Sequence, residues 1–116
     1  MRRDPRALLW DIKEACDAIT RFTANQDASS FVASELVHTA VERKFEIIGE
    51  ALSQLAKLDP PRVERIPDFR RAISFRNLLI HGYAAIDSHR VWRTVEEVVP
   101  ELRLAVTALL REAGAP

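Results

Sequence analysis

The chain has 116 residues, 47% hydrophobic and 29% charged, a size and balance suited to one globular domain over residues 1–116. Its 17 basic and 17 acidic residues cancel, which removes any global electrostatic case for nucleic-acid binding. No apolar run approaches the ~18 residues of a membrane span. The start, MRRDPRALLWDIKEA, carries acids within its apolar segment, unlike a secretory signal. Cys16 is the only cysteine, so neither an intrachain disulfide nor a thiol metal cluster is expected. A cytoplasmic location fits.

Four helices are legible. Asp4 and Pro5 make an N-cap and N1 pair, followed by a stripe of Leu8, Ile12, Ala15, Ile19 and Phe22 that ends in the polar stretch 24–27. A second, long helix is expected from Ser29 or Ser30 to about Leu58, with Val37, Val41, Phe45, Ile48, Leu52 and Leu55 on one face. Gly49 inside it marks close packing or a bend. Asp59-Pro60-Pro61 stops that helix, and an arginine-rich linker leads to Pro67.

The third helix is expected from Pro67 or Asp68 to Ile80 or His81, closed by Gly82 at C′. Ser88 is the candidate cap of the fourth, whose stripe is Val91, Val95, Val98, Leu102, Ala105 and Leu109. Pro100 lies within that pattern and is expected to kink or split the helix. Short connections point to an all-α, antiparallel up-and-down four-helix bundle. A second helix longer than the third leaves apolar surface for a dimer face.

The third helix carries the chemistry. Wrapped at about 100° per residue, it puts Phe69, Ala72, Ile73, Leu79 and Ile80 within roughly 60° of Arg76. A guanidinium in such a stripe cannot shed its proton. Either a carboxylate pairs with it, Glu50 or Glu46 being candidates, or the stripe opens into an anion-holding cleft. His81 falls about 140° away on the polar flank with Asn77, Ser74 and Arg70. A helix C-terminus suits a cation, and imidazole as a group exchanges protons near neutrality. Such a group can take a proton from a ribose 2′-hydroxyl or give one to a leaving 5′-oxygen, while an arginine neutralises a pentacoordinate phosphorus. One histidine fills one proton-transfer role, and two copies of the chain would fill both. The plainer reading is a helix-end histidine beside a structural ion pair.

Residues 62–93 hold Arg62, Arg65, Arg70, Arg71, Arg76, Arg90 and Arg93 against Glu64, Asp68 and Asp87. They are either phosphate forks or a solvated face paired with acids. His38 and His89 stand apart from any ligand-spaced set, so no metal is expected. Trp10 and Trp92 read as packing residues, and Tyr83 as a half-buried tyrosine at the mouth of any pocket near Gly82.

Arg76-Asn77, then His81 and Tyr83, resembles the Arg-x4-His-x-Tyr motif of the HEPN superfamily, and HepT-like ribonuclease toxins most of all. The likeness extends to Phe31 with Glu35, Ile47-Ile48-Gly49-Glu50-Ala51, Ile66-Pro67, Ile86-Asp87 and Val91-Trp92. Phe69 stands where relatives often carry tryptophan. The resemblance implies an all-α homodimer and metal-independent, cofactor-free RNA cleavage at a composite dimer site. Arg76 and His81 would be catalytic there, with Asn77 assisting. It also implies a type VII toxin–antitoxin pair, in which an MntA-like nucleotidyltransferase antitoxin silences the toxin by moving AMP from ATP to Tyr83. The competing expectation is a non-catalytic HEPN module that binds a nucleotidyltransferase or nucleotide.

Overall fold

The computed structural model describes residues 4–82 and 86–114, and the described residues contain helices and no strands. Helix α1 spans Pro5–Thr23 and α2 Ala28–Ala33; α3 spans Glu35–Leu58 and α4 Pro60–Val63; α5 spans Phe69–His81 and α6 Ser88–Glu112. The four long ones form the expected antiparallel up-and-down bundle. Helix α3 lies between α1 and α5, and α1 also packs on α6. Directions follow from paired residues. Phe45 meets Phe75 edge-on at 5.1 Å, Asp17 pairs with Arg103, and Arg65, just after α4, reaches Glu112 at the end of α6.

Helix α1 starts as its first residues dictate. Pro5 occupies the first turn and the Asp4 carboxylate accepts from the Arg6 amide at 2.7 Å. The second helix departs from expectation, because residues 28–33 form a separate short helix. Asp27 and Ser30 make a reciprocal capping box, with Ser30 N–H donating to Asp27 Oδ1 at 2.8 Å. Ser34 then leaves helical geometry (φ −103°, ψ 97°), and its hydroxyl accepts from the Val37 amide at 3.2 Å to start α3. The break turns Phe31 inward, fully buried, to meet the Trp92 ring at 5.2 Å. Trp92 is thus the packing residue expected. Trp10 is not buried: it is 44% exposed, with the Lys13 ammonium 5.5 Å from its ring centre.

The linker after α3 is more ordered than an arginine-rich connection suggests. Asp59 caps the turn that Pro60 and Pro61 begin, and Val63 and Ile66 bury their side chains. Asp68 takes a left-handed backbone (φ 59°) without a capping side-chain bond, a conformation that aspartate tolerates. Gly82 closes α5 in right-handed geometry as the cap itself, not as a left-handed C′ residue. A Cβ there would lie 2.6 Å from the Leu78 carbonyl oxygen, so close approach explains the glycine.

Asp87, not Ser88, caps α6 by accepting from the His89 amide at 2.9 Å. The helix runs unbroken through Pro100. Pro100 and Glu96 are both exposed, so water can take the carbonyl that the missing N–H leaves unbonded. The core joins Leu8, Leu9, Ile12 and Ile19 of α1 to Phe45, Ile48, Leu52 and Leu55 of α3 and to Val98, Leu102 and Val106 of α6. Each such side chain contributes about 1.5–3 kcal/mol by leaving water. No helix among the described residues is long and apolar enough to cross a membrane.

Candidate active site

The buried face of α5 is Phe69, Ala72, Phe75 and Leu79. It is turned away from the stripe expected around Arg76, because Phe75 fills the core while Ile73 and Ile80 are only half-buried. Arg76 therefore stands at the edge of the apolar face. Gly49 makes that possible. A Cβ on Gly49 would sit 2.2 Å from Arg76 Cβ, 2.7 Å from its Cγ and 3.2 Å from the Ala72 carbonyl oxygen. The arginine stem lies across the bare glycine, and the side chain as a whole is about a quarter exposed.

There, Arg76 Nη2 donates to Glu50 Oε2 at 2.8 Å and Nη1 donates to Asn77 Oδ1 at 3.0 Å. The carboxylate partner is Glu50; Glu46 lies 3.7 Å from Arg43 instead. Guanidinium has five N–H donors. These two bonds orient its plane and leave donors for an incoming anion.

His81 is the last residue of α5 and is exposed. It follows Arg76 by five residues, roughly 7.5 Å along the axis, and points to another side of the helix. Among the described residues no hydrogen bond joins the two. One copy of the chain thus clusters Arg76, Asn77 and Glu50 and presents His81 separately. Tyr83 lies outside the described residues. His38 is less isolated than expected, with Nδ1 3.1 Å from Glu42 Oε2 and its ring against Phe31. Among the described residues no three His, Cys, Asp or Glu side chains are placed to hold a metal ion. Burial, with the neighbouring Asp17 charge, pushes the Cys16 thiol up to about 12, which removes it as a nucleophile at neutral pH.

The arginine-rich segment resolves mostly in favour of ion pairing. Arg62 pairs with Asp59, Arg65 with Glu112, Arg70 with Glu64, Arg71 with Glu97 and Arg76 with Glu50. Arg90 and Arg93 have no acidic partner among the described residues. The sequence reading did not single out this pair. The signal available was two arginines early in a helix, at the end where the dipole opposes cations.

The chain is an all-α bundle that presents an arginine and a histidine from one short helix. Residues 12–109 match the family model described as "Ribonuclease HepT-like". A Methanocaldococcus jannaschii protein provisionally named an RNase is 32% identical over 96% of this chain and 91% of its own. A second from that organism, also provisionally named an RNase, is 33% identical over 90% of this chain and 95% of its own. A Thermococcus cleftensis protein whose name is a qualified form of ribonuclease HepT is 34% identical over 89% of this chain and 93% of its own. No solved structure gave a significant match. The chain belongs to the HepT-like ribonuclease family.

Proposed function

We propose that the protein is an endoribonuclease that cleaves RNA by attack of the ribose 2′-oxygen, at a site completed by a second copy of the chain. The observation that carries this reading is the Arg76 guanidinium, held at the surface by Glu50 and Asn77 with donors to spare. In the reaction, one imidazole takes the 2′-hydroxyl proton as the P–O2′ bond forms. A second imidazole, from the other copy, protonates the 5′-oxygen as the P–O5′ bond breaks. The products are a 2′,3′-cyclic phosphate and a free 5′-hydroxyl. Arg76 offsets the charge that gathers on the equatorial oxygens. Asn77 fixes the guanidinium plane and leaves its amide N–H groups for a phosphate oxygen. The residues suffice for this proton traffic without a metal or cofactor.

The same reading makes the protein the toxin of a toxin–antitoxin pair acting on cytoplasmic RNA. A nucleotidyltransferase partner would silence it by joining AMP from ATP to the Tyr83 oxygen, releasing pyrophosphate. The support is the position of Tyr83 two residues after His81. A bulky anion there would repel an RNA phosphate.

The test is purified protein with labelled RNA in EDTA. Cleavage should persist in the chelator and disappear in His81→Ala and Arg76→Ala. Equal cleavage by His81→Ala would overturn the mechanism, and no cleavage by the unmodified protein would favour the non-catalytic module. With partner and ATP, the chain should gain mass in AMP steps and Tyr83→Phe should not. A gain in that variant would remove Tyr83 from the role.

A further inference from the structure

We propose that the cleft between α5 and α6 docks a phosphodiester of single-stranded RNA, beside the His81 surface. The choice of RNA as occupant rests on the ribonuclease reading above. The cleft is a 140 Å³ cavity lined by Arg71, Ser74, Phe75, Arg90, Arg93 and Thr94. Three guanidinium-bearing residues line it, and one acid, Glu97, pairs with one of them, Arg71. Arg90 and Arg93 have no acidic partner among the described residues. Both occupy the early turns of α6, where the helix dipole disfavours cations, and the acid at that end, the Asp87 cap, accepts from the His89 amide and pairs with neither arginine. As neighbours at i and i+3 they also repel each other. An anion in the cleft would offset that repulsion.

The lining of the cavity favours the backbone over the base. The opening is large enough for a phosphate group, and the arginines and Ser74 on its walls offer donors to one. Its floor, Phe75, is 3% exposed and already stacked edge-on against Phe45, so it offers no face to a base. Thr94 spends its hydroxyl on the Arg90 carbonyl at 2.8 Å. The exposed Ser74 hydroxyl has no such bond among the described residues and can donate to a phosphate oxygen. Arginine forks match phosphate geometry with two parallel bonds.

Position links the cleft to the cleavage chemistry. Ser74 and His81 are two turns apart on one side of α5, roughly 10 Å along the axis. A strand with one phosphate between Arg90 and Arg93 can pass His81 with a neighbouring one.

The test measures binding of a fluorescent 2′-O-methyl oligouridine of about ten nucleotides to the full chain at several salt concentrations. This probe cannot be cut by its own 2′-oxygen, so binding is read apart from catalysis. Arg90→Ala/Arg93→Ala should weaken binding about ten-fold and lower the slope of log affinity against log salt by about 1.4 for two lost phosphate contacts. Arg90→Gln/Arg93→Gln, which keeps side-chain length, should behave the same way. Glu97→Gln frees Arg71 and should tighten binding. The control Arg21→Ala/Arg111→Ala removes two exposed arginines elsewhere and should leave affinity and slope nearly unchanged. Wild-type affinity in the Arg90/Arg93 variants, an equal loss in the control, or a cleft that takes ATP and not the oligonucleotide would each overturn the proposal. Arginine-dependent binding by a protein that cuts no RNA would sink the ribonuclease reading and leave the cleft standing.

Discussion

Gly49 and Arg76 touch so closely that a single methyl group on the glycine would fall 2.2 Å from the arginine Cβ. The contact joins α3 to α5 at the point where the guanidinium leaves the core. It makes an inconspicuous helix glycine part of the support for the candidate active site.

Gly49→Ala sets two effects against each other. Alanine gains up to about 1 kcal/mol in helix propensity, while overpacking costs about 1–3 kcal/mol. The crowded atoms are the arginine's Cβ and Cγ and a backbone carbonyl, not a flexible chain end. A net loss of stability in urea unfolding is expected, with reduced RNA cleavage as Arg76 shifts. A variant as stable and active as the wild type would show that α5 can move away freely.

Glu50 acts through Arg76 as a positioning residue. Glu50→Ala is expected to lower kcat about 3–10-fold, equivalent to about 0.7–1.4 kcal/mol, because the guanidinium loses one of its two tethers. Glu50→Gln keeps an acceptor oxygen and should recover most of that loss. Two variants with the same kcat would assign the effect to charge and not to orientation.

Leu52 is fully buried on α3 in the shared core. Leu52→Ala is expected to cost about 2–5 kcal/mol through lost burial and the cavity left behind. Thermal unfolding by circular dichroism measures it. A loss well under 1 kcal/mol would mean that the helices close over the gap.

Asp17 sets an acid dependence. Partial burial opposes ionisation, but hydrogen bonds from Arg103 and Lys13 outweigh it and hold the carboxyl below the usual aspartate range. Because the folded value is depressed, the stabilisation is complete above the unfolded value near ~4 and is lost as pH falls through the folded one. The stability gap between wild type and Asp17→Asn should therefore narrow as acid is added. A gap that stays constant down to about pH 2 would exclude this linkage.

The long helices and their core faces were legible because apolar residues recur at the helical period and Asp4-Pro5 and Asp59-Pro60 punctuate them. The break at Ser34 was less visible. The strong capping signal at Asp27 and Ser30 and the weaker one at Ser34 lie only about two turns apart, and the apolar pattern continues across both. On α5, a stripe centred on Arg76 took Ile73 for the core and left out Phe75, whereas the structure buries Phe75 and leaves Ile73 half-buried, because the partner surface sets Phe45 against the Phe75 ring.

From its residues alone the chain determined an all-helical bundle, because periodicity is a local property, and it offered Arg76 and His81 as candidates, with Asn77 added by the resemblance of the motif. Which acid answers Arg76, which arginines stay unpaired and where α6 faces α5 depended on side chains far apart in the chain. Helix packing decides those neighbours, and packing is settled by the joint fit of surfaces that no single segment encodes.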